Sequence, residues 1–316
     1  MTQTLLPSPT TVHWGHFDAT LKPVATINAG DTIVINSVSG APVNLPTQAG
    51  MTIRPELTAI HAAVKPEVGP HLLTGPVAIR GAMPGDALRI EIVDVQLADD
   101  WGYNSFKPGM GTLPDDFPYE RLVHHGIDCA KGIVHTSWGM DLPAHPFFGV
   151  MGVAPAPEIG RVTTVMPASF GGNIDNKELG PGAVLYLPVA VEGALFSCGD
   201  GHATQGDGEV CLTAVETGLT GTFKFDVIKN AQLEAPYAET KTHLISMAFD
   251  EDLNEAARVA LRRMIAMVVA RTTLTADDAY MLCSLAGDMH VTQLVNRSKG
   301  IHVMMPFALL EQKKRS

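Results

Sequence analysis

The sequence predicts an α+β protein that is mainly β, with a β-sandwich or barrel body and a smaller C-terminal α/β unit of two helices plus a strand pair. Short runs of alternating apolar residues follow glycine turns through the first two-thirds of the chain. The 30 glycines and 22 prolines are spread along the 316 residues, a density that favours short strands and turns over long helices. Beyond residue 250 the pattern becomes helical.

The strand predictions rest on alternation with a period of two, which leaves one face of each strand buried. The clearest segments follow a glycine turn, and two of them share a Gly-Asp start. The predicted strand segments are 28–38, 83–95, 180–191, 207–216 and 221–228.

The C-terminal helices are predicted from their charges and caps. Acidic residues begin the stretch DEDLNEAARVALRRMIAMVVARTT and arginines follow, which complements the helix dipole and predicts a buried helix from about Leu253 to Arg271. Thr275 has the pattern of an N-cap for a second helix that runs to about Leu285. The segments MHVTQLVN and KGIHVMMPF then resemble a strand pair.

Three domains are expected. Residues 1–160 form an N-terminal β-rich domain with a long middle loop, 161–245 a central β domain with the GGNID and GDGHATQGDGE motifs, and 246–316 a C-terminal α/β subdomain. The turn-rich, aromatic stretch 99–157 lacks clean periodicity. A loop of that length is usually functional, so it is expected to wall a pocket or an oligomer contact.

The composition and net charge of the chain disfavour several classes of partner. The chain is 46% hydrophobic and 17% charged, as in globular proteins. Its net charge of -11 disfavours nucleic acid and anionic membranes, so a neutral substrate is expected. We expect no membrane span, because no run of about 18 apolar residues occurs, and no signal peptide. The four cysteines form no CxxC motif and are expected to be reduced thiols in the cytoplasm.

The segment SCGDGHATQGDGEVCL, residues 197–212, concentrates polar chemistry among glycines. Asp200 and His202 are two residues apart, as are Asp207 and Glu209, so each pair leaves an extended chain on one side. Carboxylate and imidazole ligands suit Zn²⁺, Ca²⁺ or Mn²⁺. The alternative interpretation is a polar hairpin, because Gly and Asp are ordinary turn residues.

Two further places carry candidate groups. Asn173 and Asp175 repeat the same spacing after two glycines in SFGGNIDNKELGPG, where an Asx-turn is the alternative. His71 lies between turn signals in VGPHLLTGP, and a lone histidine is more often structural than functional. The nucleophile motif GxSxG and the phosphate-binding P-loop do not occur. Cys198 adjoins the acidic cluster, which disfavours its thiolate.

The segments GGNID, LYLPVAVEGALFSCGDGHATQGDGEV, HLLTGPVAIRGAMPGD and FFGVMGVAPAP together resemble the acetamidase/formamidase family over nearly the full length. This resemblance implies hydrolysis of a short aliphatic amide, a β-rich body with a C-terminal α/β part, and a metal near the GDGE segment. Phe170 departs from the small or polar residue usual before GGN, so a changed pocket is expected there.

The resemblance implies a site made of specific residues of this sequence. We expect Asp200, His202 and Asp175 to bind a divalent metal, with Zn the first choice and Ca or Mn as alternatives. Glu209 is the expected proton shuttle and Asp207 the next candidate, since a carboxylate near metal-activated water speeds amide cleavage. The residues expected to orient the amide or the water are Asn173, Gln205 and His71.

Two other functions stay open from the sequence. The carboxylates suit covalent amide hydrolysis with a purely structural metal, and a glycine loop with a bound ion suits a non-catalytic, metal-stabilised small-molecule binding protein. A homo-oligomer is expected, with a dimer favoured.

Overall fold

The computed structural model describes residues 3–311, which form mostly β-structure. Within this range the strands, in chain order, are β1 (Gln3–Leu5), β2 (Val12–Trp14), β3 (His16–Phe17), β4 (Ala25–Asn28), β5 (Thr32–Asn36), β6 (Leu72–Arg80), β7 (Ala87–Leu97), β8 (Trp101–Phe106), β9 (Arg121–Asp128), β10 (Ile133–His135), β11 (Asp141–Pro143), β12 (Phe147–Gly152), β13 (Val162–Thr163), β14 (Gly171–Asn173), β15 (Val184–Pro188), β16 (Phe196–His202), β17 (Glu216–Thr217), β18 (Leu219–Ile228), β19 (Tyr237–Glu239), β20 (His243–Asp250), β21 (Asp288–Gln293) and β22 (Lys299–Pro306). The helices are α1 (Pro55–Ala63), α2 (Leu253–Arg271), α3 (Ala276–Ala286) and α4 (Phe307–Leu310), with short 3-10 turns at Pro42–Asn44 and Pro157–Ile159.

Two large sheets organise these strands. The first has the order β1-β5-β18-β7-β15-β19-β20-β22-β21, and the second follows β11-β10-β9-β8-β17-β16-β12-β14 with β6 joining β16 to β2 and β4. A small third sheet pairs β13 with β3. The first sheet draws strands from all three segments of the expected domain division, whose boundaries stay a prediction.

The sheets pack face to face through a continuous apolar core. Phe148 and Phe196 project from the second sheet and contact Phe223 of the first, with ring centroids 5.4 and 5.8 Å apart. Phe196 also lies 5.1 Å from Phe225. Each of these rings is buried. The mainly β body predicted from the alternating runs is therefore confirmed.

The C-terminal unit is confirmed with its expected elements. Helix α2 begins at Leu253 and ends at Arg271, and the Thr275 hydroxyl accepts a hydrogen bond from the Asp278 amide to cap α3. The antiparallel pair β21 and β22 follows. Residues of α2 spaced by four form a buried stripe against β20 and β22, and they are Ala256, Ala260, Met264 and Val268.

One strand prediction is wrong in a way that matters for the site. Residues 207–216 form a loop, and only Glu216 at its end joins a strand. Left-handed backbone at Gly208, Glu209 and Leu212 prevents an extended run there. The irregular stretch 99–157 contains five strands, β8 to β12, besides its loops.

Two further expectations concern membrane-spanning helices and the state of the cysteines. Among residues 3–311, none of the helices combines the length and the apolar character that a bilayer crossing demands. The cysteines Cys129, Cys198, Cys211 and Cys283 are all unpaired. Burial raises the pKa of the Cys198 thiol well above its usual value, which disfavours the nucleophilic thiolate.

The aromatic contact between the sheets generates a stability prediction. Phe223→Ala should lower the free energy of unfolding by about 3–5 kcal/mol, because it leaves a cavity in a closed core. Phe117→Ala, at a side chain that is 44% exposed, is the control and should change it by much less. Urea denaturation followed by circular dichroism measures both, and equal effects would contradict the inter-sheet role of Phe223.

Candidate active site

Three neighbouring strands of the second sheet bring the predicted site residues together. Asp200 and His202 end β16, which pairs with β12 so that His202 lies opposite Phe147. Strand β12 pairs in turn with β14, where Asn173 lies opposite Val150. Asp175 follows β14 by two residues, so strand register alone carries it to the cluster.

The centre of the cluster is the Nε2 atom of His202. It lies 3.3 Å from Asp200 Oδ2, 3.3 Å from Glu216 Oε1 and 4.0 Å from Asp175 Oδ1. All four side chains are buried. Two atoms that each lie about 2.1 Å from one zinc ion are at most about 4.2 Å apart. The separations from Nε2 are therefore compatible with ligands around one cation.

Gln205 fixes the orientation of the His202 ring. Its Nε2 donates to the backbone carbonyl of Asp175 at 2.8 Å, so its Oε1 faces His202 Nδ1 at 2.9 Å. That oxygen is an acceptor, which makes Nδ1 the protonated nitrogen of the ring. The lone pair of the neutral ring then lies on Nε2 and points at the carboxylates, the arrangement that a metal-binding histidine requires.

Several buried polar atoms of the cluster have no hydrogen-bond partner within residues 3–311, an arrangement that is costly in a protein interior. They are Asp175 Oδ1, His202 Nε2, Glu209 Oε2 and Glu216 Oε2. These atoms are oxygen and imidazole donors, the set that borderline divalent cations bind. The residues present thus fit a bound metal ion.

Electrostatics supports the same conclusion. Burial raises the pKa of Asp175 to about 7 and that of Glu216 to about 8. Burial and the nearby Asp175 carboxylate raise the pKa of Glu209 well above its usual value. Burial also opposes ionisation of Asp200, yet the imidazoles of His71 and His202 hold the pKa of Asp200 below its usual value. Carboxylates this close ionise together only beside a compensating positive charge.

The backbone is strained at three of these positions. Asp175, Asp200 and Glu209 have φ angles of 51°, 56° and 46°. Left-handed backbone is uncommon for residues other than glycine and costs on the order of 1–3 kcal/mol where it occurs. Such outliers concentrate at functional sites, where the surrounding structure holds them.

The absence of a side chain at Gly149 leaves room for the side chains of the cluster. A Cβ atom on Gly149 would lie 2.5 Å from Asp175 Oδ1, 2.6 Å from His202 Cε1 and 2.8 Å from Asp200 Oδ2. Its backbone carbonyl also accepts a hydrogen bond from the Asp175 amide at 3.1 Å. Only glycine allows the strand to approach the ligands this closely.

A cavity of about 250 Å³ adjoins the cluster. The polar groups on its wall include His71, Asn173, Asp200, Glu209 and Glu216. Apolar residues complete the wall, among them Val38, Val43, Leu72, Val165, Leu212 and Val295. A small apolar-walled cavity with a few convergent polar groups is the usual form of a small-molecule site.

His71 and Asn173 present polar atoms at this cavity. His71 Nδ1 lies 2.9 Å from Thr164 Oγ1, and His71 Nε2 lies 3.8 Å from Asp200 Oδ2. Asn173 Nδ2 donates to the Val165 carbonyl at 3.3 Å, and its buried Oδ1 has no partner among the described residues.

The structure places Asp207 outside this cluster. Its Oδ2 lies 3.0 Å from both Lys177 Nζ and His290 Nδ1, on the exposed part of the loop. A catalytic role for Asp207 stays a prediction. Gln205 contacts His202 rather than lining the cavity beside the cluster, and its expected contact with substrate also stays a prediction. Phe170 packs 5.3 Å from Phe17 in the core instead of lining that cavity.

Sequence reasoning missed four residues of the site. Glu216 was assigned to a long strand, Asn296 donates to Asp175 Oδ2 from the loop before β22, and Tyr103 lies on the cavity wall. The fourth, Gly149, did carry a signal, because a glycine between aromatic and β-branched residues in a strand indicates close backbone approach. The other three are brought in from distant segments.

Comparison with known proteins identifies the chain. Residues 11–163 and 160–312 match the model of the acetamidase/formamidase family. The chain belongs to this family. Its resemblance to an acetamidase/formamidase, inferred from GGNID and the GDGHATQGDGE segment, is therefore confirmed, and the buried cluster lies on those same two motifs.

Individual family members agree with this placement. The chain is 32% identical to the formamidase of Methylophilus methylotrophus over 192 residues, covering 44% of the chain and 47% of that protein. It is 29% identical to the acetamidase of Mycolicibacterium smegmatis over 225 residues, covering 50% and 54%. These matches span about half the length of the curated relatives. The crystal structure of a Bacillus halodurans acetamidase is 31% identical, with a TM-score of 0.84 and 98% of each chain covered.

The close approach of Gly149 generates a prediction for this acetamidase/formamidase family member. Gly149→Ala should abolish metal binding, because the new methyl group would occupy the position of the ligands. Metal content after purification, measured by atomic spectroscopy, checks this outcome. The matched control is Gly126→Ala on β9 of the same sheet, where a Cβ meets nothing within 4 Å. A Gly149→Ala protein that retains stoichiometric metal would contradict the assignment of the cluster.

Proposed function

We propose that this chain hydrolyses a short aliphatic amide, of the acetamide or formamide type, to a carboxylate and ammonia. One observation carries the proposal: a buried imidazole faces three carboxylates beside a small cavity, and the imidazole and two of the carboxylates, Asp175 and Asp200, lie on the two motifs that resemble the family. The names of the curated relatives, formamidase and acetamidase, support the same substrate class.

Asp175, Asp200 and His202 would hold the divalent cation, and Glu216 lies close enough to join them. Zn²⁺ is the first choice because it binds an imidazole nitrogen together with carboxylate oxygens. Mn²⁺ and Ca²⁺ are alternatives because they also bind carboxylate oxygens. When bound, such a cation polarises the amide carbonyl and lowers the pKa of coordinated water. The polarised carbonyl matters because resonance makes an amide a poor electrophile.

Glu209 is the proposed proton shuttle. It is buried, it lines the cavity, and its ligand atom lies within 4.8 Å of those of His202 and Glu216. An ionised carboxylate at this position can take a proton in one step and return it in the next.

In the proposed reaction a water oxygen forms a bond to the carbonyl carbon while Glu209 takes the proton of that water. The carbon–nitrogen bond then breaks as Glu209 delivers the proton to nitrogen, which leaves as ammonia. Asn173 and His71 face the cavity and would orient the amide during both steps. Gln205 would act as a positioning residue through its contact with His202.

The shuttle assignment predicts that Glu209→Gln lowers kcat by about 10²–10⁴-fold while metal content is retained, because the amide cannot take a proton. Ammonia release from acetamide and formamide measures kcat, and atomic spectroscopy measures the metal. The matched control is Glu91→Gln, at a half-buried glutamate on β7 that pairs with Arg89 away from the cavity.

Asp207→Asn separates the two candidate shuttles. If Glu209→Gln retains turnover and Asp207→Asn loses it, Asp207 carries the proton and the cavity-facing assignment is wrong. If both variants retain turnover with metal bound, neither carboxylate is the shuttle.

Removal of the metal tests the role of the cluster as a whole. Chelation followed by dialysis should remove ammonia release while far-ultraviolet circular dichroism stays that of a β-rich fold, because the large apolar core between the sheets does not include the ligand side chains. Titration with Zn²⁺, Mn²⁺ or Ca²⁺ should restore activity in the order of the true preference. Full activity in the metal-free protein would instead favour covalent hydrolysis by the carboxylates.

Three expectations from the sequence remain proposals. They are a homo-oligomer with a dimer favoured, a cytoplasmic location, and a non-catalytic binding protein as the alternative function. Ammonia release from acetamide or formamide excludes that alternative.

A further inference from the structure

The cavity beside the cluster is larger than formamide or acetamide requires. Its volume of about 250 Å³ corresponds to roughly eight water-sized groups at about 30 Å³ each. Formamide has three heavy atoms and acetamide has four. About half of the cavity therefore remains for the rest of a larger acyl group.

The remaining wall carries one cation. Lys107 lines the cavity and is half-buried. Within residues 3–311 the lysines in ion pairs are Lys131, Lys177 and Lys229, and Lys107 is not among them. A half-buried ammonium without a carboxylate partner is able to bind an anion through charge-assisted hydrogen bonds.

Lys107 lines the cavity from beyond the end of β8. Tyr103 and Ser105 line it from one face of that strand, and Lys107 is the residue that follows its last residue, Phe106. Tyr103 is the register partner of Glu216, next to the cluster. At a rise of roughly 3.3 Å per residue, the end of β8 at Phe106 is about 10 Å further along than Tyr103, and Lys107 follows it.

The cavity is thus bipolar. Carboxylates line it beside Tyr103, the ammonium of Lys107 lines it from beyond the far end of β8, and apolar residues such as Val38, Val43 and Leu212 contribute to the rest of the wall. A ligand that matches this arrangement has a neutral carboxamide, a short apolar chain and a terminal anion. The net charge of -11 acts against steering such a ligand from solution, but it does not prevent a local ion pair.

We propose that the substrate is an amide whose acyl chain ends in a carboxylate, of the size of a monoamide of a four- or five-carbon dicarboxylic acid, and that Lys107 binds that carboxylate. This inference rests on the proposed amide hydrolysis and narrows its substrate class. The specificity would come from Lys107, which contacts the remote end of the substrate rather than the reacting amide.

Two amides of equal size test this inference. Succinamate and 4-methylpentanamide have eight heavy atoms each and differ by a carboxylate in place of an isopropyl group. The wild-type kcat/KM, from ammonia release, should be at least tenfold higher for succinamate than for 4-methylpentanamide. Lys107→Met, which keeps the length of the side chain without its charge, should reduce that ratio at least tenfold, mainly through KM.

The matched control is Lys65→Met, at an exposed lysine outside the cavity, which should keep the wild-type ratio. Calorimetry in the Glu209→Gln background measures binding without turnover, and Lys107→Met should weaken succinamate binding there at least tenfold. An unchanged ratio and unchanged binding in Lys107→Met would overturn the role of Lys107.

The failures of the two proposals are distinguishable. Ammonia release that is fastest from acetamide, or faster from 4-methylpentanamide than from succinamate, would leave amide hydrolysis standing and overturn the carboxylated substrate. If none of the three amides releases ammonia, the proposed hydrolysis fails. Binding of succinamate that depends on Lys107 would in that case still support the bipolar cavity.

Discussion

The burial of several carboxylates around one imidazole is the constraint on which the rest of this site depends. Asp175, Asp200 and Glu216 lie within 4.0 Å of His202 Nε2, and each would pay a large desolvation cost alone. The carboxylates of such a cluster ionise together only when a positive charge lies among them. The raised pKa values of Asp175 and Glu216 express the same requirement. A divalent cation satisfies it and also provides the chemistry that amide hydrolysis needs.

The fold meets this constraint through rigid strands rather than flexible loops. Strand β16 pairs with β12, β17 and β6. His202 therefore has register partners on both sides, Phe147 and Glu216, and Asp200 lies between the paired residues Gly199 and Gly201. The aromatic contacts behind β12 tie this sheet to the other one. Side chains on well-supported strands are held in fixed geometry, which is a general requirement of preorganised sites.

The Glu209 loop gives the site its second component. Because residues 207–216 leave the extended conformation, Glu209 is buried against the cluster and Asp207 is directed toward Lys177 and His290. A regular strand would have placed both carboxylates on one face. The loop therefore separates two residues that the spacing pairs. Glu209 lines the cavity, as Lys107 does, and Asp207 does not.

The sequence by itself determined the mainly β class, the C-terminal helices with their caps, and the two motifs that carry Asp175, Asp200 and His202. These features depend on local periodicity, capping and short spacing, which neighbouring residues encode. Tertiary structure alone decided that Glu216 and Asn296 join the cluster, that Asp207 leaves it, and that Lys107 lines the same cavity as Glu209. Those contacts join segments that are far apart in the chain. They depend on strand register and on the path of one irregular loop, and neither of these has a local sequence signal.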